Sequence, residues 1–118
     1  MTGVRILIVE DEPLIAMMLE DFVETLGHSV TGVADNLEDG LAAVAGGAFD
    51  IAILDVNLRD RKASWPIADA LDDAGMPFLL ASGGDLDSPP QRHAARPYLS
   101  KPFTLESVGN AINSAASP

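Results

Sequence analysis

Three short apolar runs, at residues 6–9 (ILIV), 51–54 (IAIL) and 78–81 (FLLA), are bounded by polar residues and show no clean apolar/polar alternation. A strand buried on both faces reads this way, so each run predicts a central strand of a parallel sheet. Between them the apolar spacing becomes helical. Ile15, Met18, Leu19, Phe22 and Leu26 mark a first helix. Leu37, Leu41, Val44 and Ala45 mark a second that Asn36 can cap, and Ile67, Ala70, Leu71 and Ala74 a shorter third. Residues 29–34 form a weaker strand, placed at an edge because Thr31-Gly32 interrupts it. Residues 97–100 read as a last short strand, and Thr104 caps a final helix through Leu105, Val108 and Ile112. This alternation is that of five βα units. Right-handed crossovers turn it into an α/β fold with an open, doubly wound parallel sheet.

The segment 83–96, GGDLDSPPQRHAAR, departs from the pattern. Paired glycines open it, and Pro89-Pro90 interrupts it, each proline costing a continuing helix about 3 kcal/mol. Leu86, Ala94 and Ala95 cannot form a stripe longer than a turn or so. The fourth helix is therefore expected to be absent, shifted or reduced to one or two turns, and the segment to be the most mobile of the chain. His28, after Gly27 at a helix end, and His93, in this Pro-rich loop, lack any metal-like partner spacing and read as surface residues.

Composition narrows the function classes. The 118 residues suit one domain, taken as residues 1–118. Eighteen acidic against seven basic residues give a net charge of -11, which repels nucleic acid; scattered acids such as Asp72 and Asp73 read as solubilising. The absence of cysteine removes thiolate metal sites and disulfides. No apolar stretch approaches the ~18 residues of a membrane span, so a cytoplasmic protein is expected.

In a doubly wound sheet ligands bind at the carboxyl ends of the strands. Here the first strand ends in Glu10-Asp11-Glu12, the third in Asp55, the fourth in Ser82-Gly83 and the fifth in Lys101-Pro102. Carboxylates converging without cysteine or clustered histidine suit a hard cation such as Mg²⁺. Lys101 adds a positive charge, and the glycines after Ser82 leave backbone N–H groups for an anion. Charge neutralisation around an oxygen nucleophile is what phosphoryl transfer requires. Glu12 reads as a solvated acid at a helix N-terminus rather than as a further ligand.

The segments ILIVEDEP, AILDVN, FLLASGG and YLSKPF together resemble the receiver domains of two-component response regulators, over essentially the whole chain. The resemblance implies a flavodoxin-like receiver fold of strand order 2-1-3-4-5. By motif, Asp55 resembles the phosphoacceptor, and Glu10, Asp11, Asp55 and the main-chain carbonyl of Asn57 resemble the Mg²⁺ ligands. Ser82 and Lys101 match the phosphoryl-binding hydroxyl and ammonium, the backbone of Val56 and Gly83 the phosphoryl-binding amides, and Ser82 with Tyr98 the switch pair. DVNL, WPIADAL and the short stretch from Ser82 to Lys101 resemble more closely the FATGUY-type single-domain subgroup of alphaproteobacteria, with Leu80, Ser82 and Gly84 departing from its motif.

These likenesses imply a signalling phosphoacceptor rather than an enzyme. Its donor would be a sensor histidine kinase or histidine phosphotransfer protein. A downstream protein would bind the surface around the fifth strand and last helix, with neither nucleic acid nor membrane involved. The rival classes are a phosphorylation-independent pseudo-receiver, an aspartate-dependent phosphohydrolase, and a flavodoxin-like cofactor module. The phosphohydrolase needs an Asp-x-Asp where Glu10-Asp11-Glu12-Pro13 stands, and three acids there repel a cofactor phosphate.

Overall fold

The computed structural model describes residues 3–56, 58, 63–82, 90–100 and 102–116. In chain order the elements are β1 (Arg5–Val9), α1 (Pro13–Thr25), β2 (Ser29–Ala34), α2 (Leu37–Gly46), β3 (Ile51–Asp55), α3 (Trp65–Asp73), β4 (Phe78–Ser82), β5 (Tyr98–Ser100) and α4 (Leu105–Ala116), with a 3₁₀ turn, Gln91–His93, between β4 and β5. The strands form one parallel sheet ordered β2-β1-β3-β4-β5. Every residue of β3 and β4 is buried, as their continuous apolar runs require. Strand β2 lies at the edge, and its register slips beside Thr31, where Ile6 pairs with Val30 and Leu7 with Gly32.

Successive side chains of each strand point to opposite faces, so the core has two layers. Leu7, Val9, Leu54 and Leu80 pack under α2 and α3 with Val44, Ile67 and Leu71. Ile6, Ile8, Ile53 and Leu79 pack under α1 and α4 with Leu19, Val23, Val108 and Ile112. Caps fix where the helices begin. Asn36 Oδ1 accepts from the Asp39 N–H at 2.8 Å, and at α4 the Thr104 hydroxyl accepts from the Ser107 N–H at 3.0 Å while the Ser107 hydroxyl accepts from the Thr104 N–H at 2.9 Å. At Gly40 an added Cβ would lie 2.4 Å from Ile67 Cδ1, so glycine permits the close approach of α2 to α3.

Between β4 and β5 the described residues contain one 3₁₀ turn where a fourth βα unit would place its helix. The expected reduction is thus seen over 90–96, while 83–89, and with them much of the expected mobile stretch, lie outside the described residues. Both histidines depart from the surface positions expected of them. His28 is half-buried, and its Nδ1 accepts from the Val4 N–H at 3.0 Å, tying β1 to the turn before β2. His93 is buried, with only 1% exposed. Its ring stacks on Trp65 at 6.0 Å and 10°, meets the Phe78 ring edge-on at 5.6 Å, and places Nε2 2.7 Å from Asp69 Oδ1. Among the described residues its Nδ1 has no hydrogen-bond partner. The imidazole does the packing that a helix stripe would otherwise do.

Charges close the same contact. Arg92 Nε donates to Asp72 Oδ2 at 2.7 Å and Arg92 Nη2 to Asp73 Oδ1, while Arg96 Nη2 donates to Asp72 Oδ1 at 2.7 Å with its guanidinium 4.3 Å over the Phe78 ring. Asp72 and Asp73 therefore fasten the β4–β5 connection to α3 rather than merely solubilise the chain. Hydrogen bonding to Arg92, followed by the charges of Arg92 and Arg96, holds the Asp72 carboxyl below its ordinary pKa of 3.8. A carboxyl depressed in the folded state stabilises the protein above its unfolded pKa and ceases to do so as pH falls through the folded value. Asp72→Asn is accordingly expected to lower the melting temperature at pH 7, modestly because the pair is partly exposed, with the deficit closing below about pH 4. Melts of both proteins between pH 7 and pH 3 check this; a deficit independent of pH would show that the Asp72 charge is immaterial.

Candidate functional site

The carboxyl edge of the sheet gathers the strand ends. Glu10 extends β1 by one rung, its N–H donating to the Ala34 carbonyl at 2.9 Å. Asp55 is the last residue of β3 and pairs with Ala81, and Ser82 is the last of β4 and pairs with Ser100. Sheet register thus brings Glu10, Asp55 and Ser82 side by side, buried to 2, 5 and 3% exposure. Asp11 follows from the turn into α1. One oxygen from each of Glu10, Asp11 and Asp55 lies within 4.8 Å of the others.

Such crowding needs compensation. The Glu12 N–H donates to Glu10 Oε2 at 3.2 Å, and Glu12 itself is exposed at the N-cap of α1. The positive end of α1 therefore faces the acids. Asp11 nonetheless has its pKa raised above 3.8, first by burial and then by the Glu10 charge. Three carboxylates, one half-buried and two buried, form an all-oxygen donor set without nitrogen or sulfur. Mg²⁺ prefers such a set, and its charge removes the repulsion that raises Asp11, so the residues present fit that ion.

Asn57, Gly83 and Lys101 fall outside the described residues. Val56 does not present the free amide expected of it. Its N–H already donates to the Ala81 carbonyl at 2.9 Å, because the β3–β4 ladder runs one residue past Asp55. Tyr98 pairs with Leu80 in β5 and is 41% exposed, beside a groove lined by Pro97, Leu99, Pro102, Thr104 and Ser107. One residue absent from the sequence reading lies against the site. Ser64 is fully buried, and both its N–H and its hydroxyl donate to the Val56 carbonyl, at 2.8 and 3.1 Å. Its place before Trp65-Pro66 signals a helix start but not that contact.

Among known proteins, the family model of the response regulator receiver domain matches residues 6–63. The solution structure of SdrG from Sphingomonas melonis Fr1 is 49% identical, covers 98% of this chain and 98% of its own, and superposes with a TM-score of 0.87. SdrG in its BeF₃-activated conformation, from Pseudomonas melonis Fr1, is 48% identical over 99% of this chain and 100% of its own, with a TM-score of 0.83. The transcriptional regulatory protein TcrA of Mycobacterium tuberculosis is 34% identical over 91% of this chain and 44% of the relative. The phyllosphere-induced regulator PhyR of Methylorubrum extorquens is 34% identical over 94% and 43%. The chain thus spans less than half the length of TcrA and of PhyR.

At neutral pH without metal, the acidic edge carries like-charge repulsion between Asp11 and Glu10. A carboxyl whose pKa is raised in the folded state costs stability as pH climbs through that value. Asp11→Asn is therefore expected to stabilise the metal-free protein at pH 7 by about 1–2 kcal/mol after solvent screening. The gain should vanish below about pH 4, where the carboxyl is protonated in both states. Denaturant unfolding in EDTA measures this, and a variant no more stable than wild type at pH 7 would contradict the convergence.

Proposed function

This chain belongs to the response regulator receiver family, and on that premise we propose that Asp55 accepts a phosphoryl group from a phosphohistidine and that the acyl phosphate alters binding to a partner protein. The observation that carries the reading is the cluster of Glu10, Asp11 and Asp55 carboxylates within 4.8 Å at the carboxyl edge of the sheet. With residues 1–118 acting as one receiver domain, an Asp55 oxygen attacks the phosphorus. The new C–O–P linkage forms as the P–N bond to the donor imidazole breaks, and the imidazole nitrogen takes up a proton. The donor is a sensor histidine kinase or histidine phosphotransfer protein, and the site lies in the cytoplasm.

Glu10, Asp11 and Asp55, with the main-chain carbonyl of Asn57, would hold Mg²⁺, which when bound offsets the negative charge of carboxylates and phosphoryl oxygens. Asp55 is fixed for attack by its register with Ala81, which leaves little reorganisation to the reaction. Ser82, at the end of the adjacent strand, donates its hydroxyl to a phosphoryl oxygen. Lys101 pairs with the other oxygens, and the Gly83 amide adds a donor. A hydroxyl drawn toward the new phosphate changes the surroundings of Tyr98, which with β5 and α4 forms the surface that the downstream protein reads. Such a chain turns over no external substrate; self-phosphorylation and self-dephosphorylation are its chemistry. That SdrG, 48% identical to this chain, has a BeF₃-activated conformation supports this reading.

Incubation with Mg²⁺ and acetyl phosphate is expected to add one phosphoryl group by intact mass. It should be labile to hydroxylamine, abolished by EDTA and by Asp55→Ala, and weakened by Lys101→Ala. A protein that binds Mg²⁺ yet gains no mass would instead be a phosphorylation-independent interaction module. Steady hydrolysis of small phosphate esters would mark a phosphohydrolase.

A further inference from the structure

Serine at a helix N-cap ordinarily turns its hydroxyl onto the N–H groups of the first turn, which stabilises the helix by about 1 kcal/mol. Ser64 occupies the N-cap of α3 without doing so. Its carbonyl accepts from the N–H groups of Ile67 at 2.9 Å and Ala68 at 3.2 Å, while its hydroxyl points away from the helix. That hydroxyl and the Ser64 N–H converge on one acceptor, the carbonyl of Val56, the residue after Asp55. Val56 is thereby held at both ends, its N–H on β4 through Ala81 and its carbonyl on the start of α3. Neither Ser64 nor Val56 is significantly exposed, at 0 and 4%, so water does not compete for these bonds.

We propose that Ser64 is a positioning residue of the acceptor site: by gripping the Val56 carbonyl with two donors it fixes the backbone that follows Asp55 and so the aim of the Asp55 carboxylate. The inference rests on the reading of Asp55 as acceptor and metal ligand. Ser64 touches neither metal nor phosphoryl group and acts only through Val56. The second donor is what distinguishes it from a simple loop closure, because the N–H bond alone would join α3 to β3. The hydroxyl removes the remaining rotation of the carbonyl about that contact.

Ser64→Ala deletes only the hydroxyl and leaves the N–H bond, so the fold should survive. Ile112→Val is the control, a core change in α4 that lowers stability from the layer on the other face of the sheet from Val56 and Ser64. Three readouts are compared at a temperature where all three proteins are folded: hydrogen exchange of the Val56 amide, Mg²⁺ titration followed by fluorescence of the single tryptophan, Trp65, and phosphoryl uptake from acetyl phosphate. Ser64→Ala should speed Val56 exchange, raise the Mg²⁺ half-saturation roughly tenfold and slow uptake at saturating Mg²⁺ about tenfold. Ile112→Val should lower the melting temperature alone. If Ser64→Ala behaves like Ile112→Val in exchange and Mg²⁺ titration, the positioning role is overturned. A wild type that binds Mg²⁺ but takes up no phosphoryl group refutes the acceptor reading, while exchange and titration still decide whether Ser64 sets the geometry.

Discussion

Like-charge repulsion among Glu10, Asp11 and Asp55 is the constraint around which the molecule is arranged. At 4.8 Å and an effective dielectric near 20, two ionised carboxylates repel by about 3–4 kcal/mol before protonation or relaxation relieves them. A domain's whole net stability is only about 5–15 kcal/mol. The acids stay together because they terminate β1 and β3, which run through the middle of the sheet with apolar layers on both faces. Separating the carboxylates would require shifting the register of strands in which every residue but Arg5 is buried. The N-terminus of α1 and the Glu12 N–H remove part of the cost, and what remains is repulsion that a divalent cation would offset.

The same sheet edge is tied to its surroundings by a chain of contacts. Asp55 passes through Val56 to both β4 and α3, and α3 begins with Trp65, whose ring lies on His93 in the β4–β5 connection. His93 and the guanidiniums of Arg92 and Arg96 then fasten that connection to Asp69, Asp72 and Asp73. Over the described residues 90–96 this cover consists of one imidazole and several ion pairs, which bury less apolar surface than a helix stripe. It depends correspondingly more on charge, and hence on pH and salt.

Much of this was readable from the chain. β1, β3 and β4 announce themselves because strands buried on both faces need unbroken apolar runs, and Asn36 and Thr104 because cap chemistry is local. The acidic cluster followed from the rule that ligands gather at the carboxyl edge of such a sheet. What escaped depends on partners distant in sequence. The burial of His93 is decided by Trp65, Asp69 and Phe78, none of them its neighbours, so a Pro-rich segment without apolar period gave no sign of it. The engaged amide of Val56 depends on the β3–β4 ladder running one residue past Asp55, a boundary that composition does not set. Ser64 escaped altogether as a partner of the Val56 carbonyl, because a serine before a helix ordinarily bonds forward into it.

If clustered carboxylates are the central feature, a divalent cation must stabilise the native state over the unfolded one. The direct measurement is unfolding free energy as a function of Mg²⁺ concentration at constant ionic strength, for wild type and for Asp55→Asn. Wild type is predicted to gain stability logarithmically, about 2.7 kcal/mol at a hundredfold excess over the dissociation constant, with Asp55→Asn gaining far less. A wild-type stability indifferent to Mg²⁺ up to about 20 mM, well above the upper end of common ligand affinities, would contradict a cation site at Glu10, Asp11 and Asp55.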